Sequence, residues 1–244
     1  MAGKSVLPPL WNVPQEFRNR LGEQAGRQRA MHRDGHLLLV LHGPPQPEDV
    51  RRDGRFFWRA PDGAWNATVF RGGANAIRMH LEEFAERLEE YDERLEQASS
   101  AEDYFRLLQS LAPLCRSARH MHHTLQEARK TCPDDRDLII FRDRAYEIER
   151  SAELLYDEAK NALDFAVAKR AEEQTGYSLR MALSTHRLNL LAAFFFPIAT
   201  LSALFGANLK SGLEEACAPL PFVGVLCAGL LLGAVLKSFV TRGQ

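Results

Sequence analysis

Two long stretches without a charged side chain, close to the carboxyl end, constrain this chain more than any other feature. Residues 188–209 and 216–236 contain no Asp, Glu, Lys or Arg, although charged residues make up 26% of the chain. An α-helix needs about 20 predominantly apolar residues to cross the hydrocarbon of a bilayer. We therefore predict two transmembrane helices at these positions, an external loop at 210–215 and a tail at 237–244. A buried helical hairpin in a soluble core is the alternative.

The charges that flank these stretches indicate their orientation. A loop as short as 210–215 forces an antiparallel hairpin, so both termini lie on the same side. Arg180 and Arg187 precede the first stretch, and Lys237 and Arg242 follow the second. Because basic residues favour the cytoplasmic side, we expect an integral protein of the inner or plasma membrane with both termini in the cytoplasm.

The rest of the chain is highly charged, and its two signs are separated. Residues 1–71 carry a net charge of +4 and residues 72–187 a net charge of −6, within a total of −1. A balanced total excludes a globally basic nucleic-acid binder. The chain has 4 Cys and no Cys-x-x-Cys pair, which excludes a disulfide scaffold and argues against a structural zinc site.

Residues 74–187 are predicted to form a helical stalk of three long helices. Apolar residues recur at steps of four and three, which is the spacing of a coiled-coil seam. Ser100 and Asp103 have the spacing of a capping box and predict the start of the second helix. Pro133 near the start of the third helix favours a first helical turn there. The three apolar stripes run through Ile77, Leu81, Phe84, Leu88, Tyr91 and Leu95; Leu107, Leu111, Leu114, Ala118, Met121 and Leu125; and Phe141, Ala145, Ile148, Ala152, Leu155, Ala159, Ala162 and Ala166.

Residues 1–73 show a different pattern, which predicts a small cytoplasmic α+β segment. Pro61-Asp62-Gly63 between two apolar runs is typical of a β-hairpin. The basic residues of this segment are interpreted as a solvated helix face, or alternatively as a contact with a partner or a membrane surface. We predict three strands and one helix, over 36–42, 56–58, 65–70 and 14–27. The predicted fold class is mostly α: a small N-terminal α+β cap, long coiled-coil-like stalk helices and two C-terminal transmembrane helices.

No motif of a known enzyme class is found. The sequence contains no P-loop, Gly-x-Gly-x-x-Gly, Gly-x-Ser-x-Gly or His-Glu-x-x-His pattern, so we expect a protein that is not an enzyme. His120, His122 and His123 lie close together on the second stalk helix. They are interpreted as a polar helix face, with metal binding as the alternative.

The carboxyl-terminal part resembles the CorA-like magnesium transporter superfamily. The resemblance rests on Phe196-Pro197, on Phe205-Gly206-Ala207-Asn208 at the end of the first stretch, and on the short acidic loop before the second. The family hallmark here is Gly-Met-Asn, so Ala207 replaces the usual Met. The family also has a cytoplasmic α/β domain that leads into long helices, as predicted above.

The resemblance implies a homopentamer, embedded in membrane lipid, whose first transmembrane helix lines a central pore. Gly206, Ala207 and Asn208 would form the ion-selectivity site, where Asn208 holds a hydrated Mg²⁺ through its outer coordination sphere. Mg²⁺ is then the transported ion, moved passively by the membrane potential, and a candidate regulator. No other cofactor, no nucleic acid and no organic substrate is expected.

Two further groups of residues receive roles from the same resemblance. Leu188, Phe196, Ala199 and Thr200 would face the pore. The family often has Thr two residues after the Pro, where this chain has Ala199. Glu214 and Glu215 in the loop would attract cations to the pore mouth.

Two alternatives accompany this hypothesis. Within the transporter class, Zn²⁺, Co²⁺ or Ni²⁺ would replace Mg²⁺. Outside it, the chain would be a non-conducting, membrane-anchored coiled-coil scaffold or sensor derived from the same family. The altered motif at Ala207 and the short first segment favour this second alternative.

Overall fold

The computed structural model describes residues 6–46, 52–70, 72–206 and 220–242. The chain divides into two compact units, Met1–Ala168 and Lys169–Gln244. In chain order the elements are α1 Gln15–Asn19, β1 Arg29–Arg33, β2 His36–His42, β3 Gly54–Arg59, β4 Trp65–Ala67, α2 Asn75–Gln97, α3 Ala101–Thr131, α4 Arg136–Gly206 and α5 Leu220–Arg242.

The first unit is built on a four-stranded antiparallel sheet in the order β1-β2-β3-β4. Strand β2 lies inside the sheet and is confirmed at the predicted residues, with Leu39 opposite Ala30 and Phe57. Successive residues of a strand point to opposite faces, and the five central residues of β2 are all fully buried. Both faces of the sheet are therefore covered.

Each face of the sheet has its own hydrophobic core. On one face, Leu37, Leu39 and Leu41 belong to a cluster that includes α2, α3 and the first part of α4. On the other face, Leu38 and Val40 pack with side chains of the segment that precedes β1. The sheet thus lies between a three-helix layer and the amino-terminal segment.

The three stalk helices form largely as predicted. The stripe of α2 is buried from Ile77 to Leu95, and the capping box at the start of α3 is present, with Ser100 and Asp103 each accepting a backbone hydrogen bond from the other. The seam of α4 is buried as far as Ala159, whereas Ala162 and Ala166 are only half-buried. Helix α4 continues through Gly176 to Gly206.

The amino-terminal segment differs from the prediction. The helix predicted over 14–27 is limited to α1, Gln15–Asn19. Strand β1 was not predicted, because it is an edge strand in which only Met31 is buried and its sequence has no apolar run. The interpretation of the basic residues as a solvated helix face is wrong. The Arg18 guanidinium donates to backbone carbonyls including that of Trp11 at 2.8 Å, and Arg29 lies on β1.

The second unit contains a close helix pair. Gly229 and Gly233 on α5 are both buried. A Cβ atom added at Gly229 would lie 3.0 Å from Ile198 Cγ1, and one at Gly233 would lie 2.9 Å from the carbonyl oxygen of Phe194. The two glycines therefore allow α5 to approach the carboxyl-terminal part of α4 closely, which is the packing that small residues four apart permit.

The prediction of two transmembrane helices is not supported. Among the residues that the structure describes, no helix has both the length and the hydropathy that a bilayer crossing requires. This finding overturns the transmembrane part of the predicted fold class and the predicted membrane localisation.

Candidate functional site

The predicted pore-lining residues lie on the carboxyl-terminal part of α4. Leu188 and Phe196 are 66% and 73% exposed in the single chain, and Ala199 and Thr200 are also exposed. The Thr200 hydroxyl donates a hydrogen bond of 2.8 Å to the carbonyl oxygen of Phe196. Four exposed side chains on a helix are available for contact with another molecule, and their role in a pore stays a prediction.

The predicted selectivity and loop residues lie at or beyond the edge of the described structure. Gly206 is the last residue of α4. Ala207, Asn208, Glu214 and Glu215 lie outside the described residues. Their roles stay predictions from the family resemblance.

A groove between α2 and α4 is lined by four carboxylates, and we call it the acidic groove. Its volume is about 370 Å³. The floor is apolar and the rim carries carboxylates. The lining residues are Ala85, Leu88, Glu89, Asp92, Arg144, Glu147, Ile148, Ser151, Leu154, Leu155 and Glu158.

Most of the carboxylates of the acidic groove have no ion-pair partner among the residues that the structure describes. Arg144 is the basic residue of the lining, and it forms ion pairs with Glu147 at 3.1 Å and with Glu82 at 3.4 Å. Across the described residues, no three His, Cys, Asp or Glu side chains converge as metal ligands. The acidic groove therefore attracts cations through its negative electrostatic potential. Its described residues do not form a preformed coordination shell for a metal ion.

Helix periodicity did not predict the acidic groove. Glu147 and Glu158 come from α4, more than fifty positions later in the chain than Glu89 and Asp92. Their juxtaposition depends on how α2 packs against α4. The available signal was that both helices carry carboxylates beside their apolar stripes.

The histidine cluster on α3 has a structural explanation. His122 Nδ1 lies within hydrogen-bond distance of Glu149 on α4, and its ring packs edge-on against Tyr146. Arg119 forms an ion pair with Glu153 at 2.8 Å. These contacts join α3 to α4 and support the interpretation as a polar helix face.

A buried histidine that sequence reasoning missed links the sheet to α2. His80 is fully buried between Phe57 and Phe84, and its Nδ1 lies 3.1 Å from the Arg55 guanidinium, which also pairs with Glu83. Burial, reinforced by the positive charge of Arg55, lowers the pKa of His80 to about 3. His80 is therefore neutral at physiological pH, and its place next to Ile77 and Phe84 in the apolar stripe was the signal for its burial.

Comparison with known proteins gives a fold. The sequence matches no protein-family model and no curated protein sequence. The structure is similar to the ZntB cytoplasmic domain from Vibrio parahaemolyticus RIMD 2210633, with a TM-score of 0.55 and 13% identity over 66% of this chain and 80% of that chain. It is also similar to full-length CmaX, with a TM-score of 0.56 and 16% identity over 92% of this chain and 82% of that one.

The CorA magnesium transporter from Methanocaldococcus jannaschii is a more distant match. Its TM-score is 0.43 and its identity 12%, over 89% of this chain and 80% of that chain. At such identities a structural likeness establishes the fold alone. The chain therefore has the fold of the ZntB cytoplasmic domain and of CmaX.

Proposed function

We propose that this chain is a subunit of a homo-oligomeric protein that transports a divalent cation passively, with Mg²⁺ as the ion. The observation that carries the proposal is the similarity to full-length CmaX, which extends over 92% of this chain. The likeness therefore extends over nearly the whole chain, rather than over one common motif. In the superfamily that the sequence resembles, this combination serves magnesium transport.

The chemistry of Mg²⁺ is compatible with the predicted site residues. Mg²⁺ gives up its water reluctantly and is often held through its hydration shell. A neutral amide oxygen such as that of Asn208 suits a hydrated ion, since it accepts a hydrogen bond from a coordinated water without trapping the ion by charge. Gly206 and Ala207, which have small side chains, would leave room for that shell. In this proposal the triplet 206–208 selects the ion.

Self-association belongs to the same proposal. A single copy exposes Phe165, Tyr177 and Leu188 by 69%, 69% and 66% of their surfaces. Large apolar side chains that are exposed in such numbers on one helix are typical of an interaction surface. We infer that several copies associate, and a pentamer is the number that the family resemblance implies.

The proposal is tested in cells that need added Mg²⁺ for growth. The full chain is expected to support growth at low Mg²⁺, and Asn208→Ala is expected to abolish this effect at equal protein abundance. Asn189→Ala is a matched control, because Asn189 lies in the same apolar stretch outside the predicted selectivity triplet. If cells with Asn208→Ala grow at low Mg²⁺ as well as cells with the unmodified chain, Asn208 does not have the proposed role. Growth support by neither protein would favour the scaffold or sensor alternative.

A further inference from the structure

We propose that copies of this chain associate head to tail, with the basic loop of one copy seated in the acidic groove of the next. The basic loop is defined as residues 20–29. This inference rests on the self-association in the proposed function and specifies the surfaces that meet. Both surfaces belong to the first unit, so the argument uses that unit alone.

The acidic groove has the features of a protein interface whose partner is missing. Glu89, Asp92 and Glu158 are exposed, and within the described residues none of them has an ion-pair partner. Glu89 and Asp92 are three residues apart on α2, so their like charges repel each other on one helix face. A cationic partner would relieve this repulsion.

The floor of the acidic groove offers an apolar contact at its centre. Leu88 and Leu155 are almost fully buried beneath it, while Leu154 is 53% exposed. A surface with an apolar centre and a charged rim is the usual composition of a specific protein interface. It distinguishes the acidic groove from a uniformly solvated acidic helix face.

The basic loop is the complementary half. Arg20, Arg27 and Arg29 line an open hollow of about 710 Å³, in which Glu23 is the acidic residue. Arg20 and Arg27 are exposed, and neither has an ion-pair partner in the described part of the chain. Two free guanidinium groups are thus presented side by side.

Internal hydrogen bonds fix the shape of the basic loop. The Arg29 guanidinium donates to the carbonyl oxygens of Ala25 at 3.0 Å and Arg27 at 2.9 Å. Burial lowers the pKa of Arg29, and the nearby charges of Arg27 and Arg20 lower it further, which indicates how closely the three positive charges are grouped. A loop that is held in this way loses little conformational freedom on binding.

A second copy is the partner that the charges favour. The two surfaces have no lining residue in common. Residues 1–71 carry a net charge of +4 and residues 72–187 a net charge of −6, so each copy contains both complementary halves. Different, complementary patches on identical chains form a heterologous interface, which closes into a ring or extends into a filament.

Charge reversal on the full chain tests the pairing. Arg20→Glu with Arg27→Glu reverses the basic loop, and Glu89→Lys with Asp92→Lys reverses the acidic groove. Two double variants are matched controls with the same charge changes at exposed or half-exposed positions elsewhere: Arg106→Glu with Arg150→Glu, and Glu102→Lys with Glu127→Lys. The distribution of oligomer masses is measured by sedimentation at low and at high salt.

We expect each reversal to weaken self-association by about tenfold or more at low salt, and the controls to have little effect. A mixture of the two reversed variants should associate again, because the acidic loop of one fits the lysine-bearing groove of the other. The two variants must alternate in such an assembly, so the restored oligomers should contain even numbers of copies. If the unmodified chain associates and neither reversal weakens that association, the pairing is wrong but the proposed self-association stands. Loss of association that mixing does not restore would also overturn the pairing. An unmodified chain that stays monomeric would contradict both proposals.

Discussion

Arg59 on β3 forms an ion pair with Asp135, and the same carboxylate accepts a hydrogen bond of 3.1 Å from the backbone nitrogen of Leu138 in the first turn of α4. The side chains of Arg59 and Asp135 are only 19% and 10% exposed. Asp135 therefore acts as a helix cap and as the charged partner of a residue on the sheet. Together these two contacts fix the start of α4 against the β-sheet.

We predict that Asp135→Ala lowers the free energy of unfolding by about 2–3 kcal/mol, since it removes a cap and leaves a partly buried arginine unpaired. Urea unfolding followed by circular dichroism measures this change. Asp135→Asn should cost less, because the amide oxygen still caps the helix. Equal losses for the two variants would show that the cap contributes nothing.

The buried His80 predicts a pH dependence of stability. Its pKa is about 3 in the folded chain, against 6.5 for an ordinary histidine, so the unfolded chain binds the extra proton between these values. Stability due to this group is complete above pH 6.5 and falls by about 1.4 kcal/mol per pH unit as the pH decreases. Between pH 6.5 and 5 this amounts to about 2 kcal/mol.

His80→Phe isolates this contribution, because phenylalanine cannot bind a proton and suits the site between Phe57 and Phe84. The unfolding free energies of both proteins should be measured at several pH values from 5 to 8. The unmodified chain should lose more stability than the variant as the pH falls, by about 2 kcal/mol at pH 5. Parallel pH profiles would mean that folding does not shift the pKa of His80.

Cys115 should be a poorly reactive thiol. Its Sγ lies 3.2 Å from the carbonyl oxygen of Ala152, and burial raises its pKa to about 11 from 9.0. Because the thiolate is the nucleophile, we expect alkylation at pH 8 to be about 100-fold slower in the folded chain than in urea. Mass spectrometry of the peptide that contains Cys115 gives both rates. Similar rates in the two states would contradict the buried position of the thiol.

The close approach of α5 to α4 makes Gly233 sensitive to substitution. A side chain at this position would collide with the backbone carbonyl of Phe194, whereas Gly224 on the same helix has nothing within 4 Å of an added Cβ atom. Gly233→Leu should therefore destabilise the helix pair by about 1–3 kcal/mol, and Gly224→Leu should not. Thermal unfolding of the full chain compares the two. Equal melting temperatures for both variants would contradict this packing.

Local patterns were sufficient to predict much of the first unit. The apolar run of β2, the turn at Pro61-Asp62-Gly63 and the stripes of α2 and α3 depend on neighbouring residues only, and all are present in the structure. Strand β1 was missed because an edge strand needs few buried side chains. The shortness of α1 was missed because it depends on side-chain contacts with backbone carbonyls: Arg18 binds those of Pro8 and Trp11, and Arg29 binds those of Ala25 and Arg27 in the loop after α1.

The site was less predictable than the fold. The acidic groove requires α2 and α4 to pack side by side. Glu82, one of the two partners of Arg144, and Glu149, the partner of His122, each lie on a different helix from the residue that they contact. A sequence shows which residues carry charge, but it does not show which of them face each other across two helices. The two transmembrane helices were predicted from the absence of charge, and the hydropathy of the described residues does not support them.

Ion flux into lipid vesicles that contain the purified full chain tests the proposed function most directly. A magnesium-sensitive dye inside the vesicles would report entry of Mg²⁺ under an inside-negative potential, with Zn²⁺, Co²⁺ and Ni²⁺ measured by corresponding dyes. We predict Mg²⁺ entry that Asn208→Ala abolishes and Asn189→Ala preserves. Oligomers of the unmodified chain that admit none of these ions would contradict the transport function.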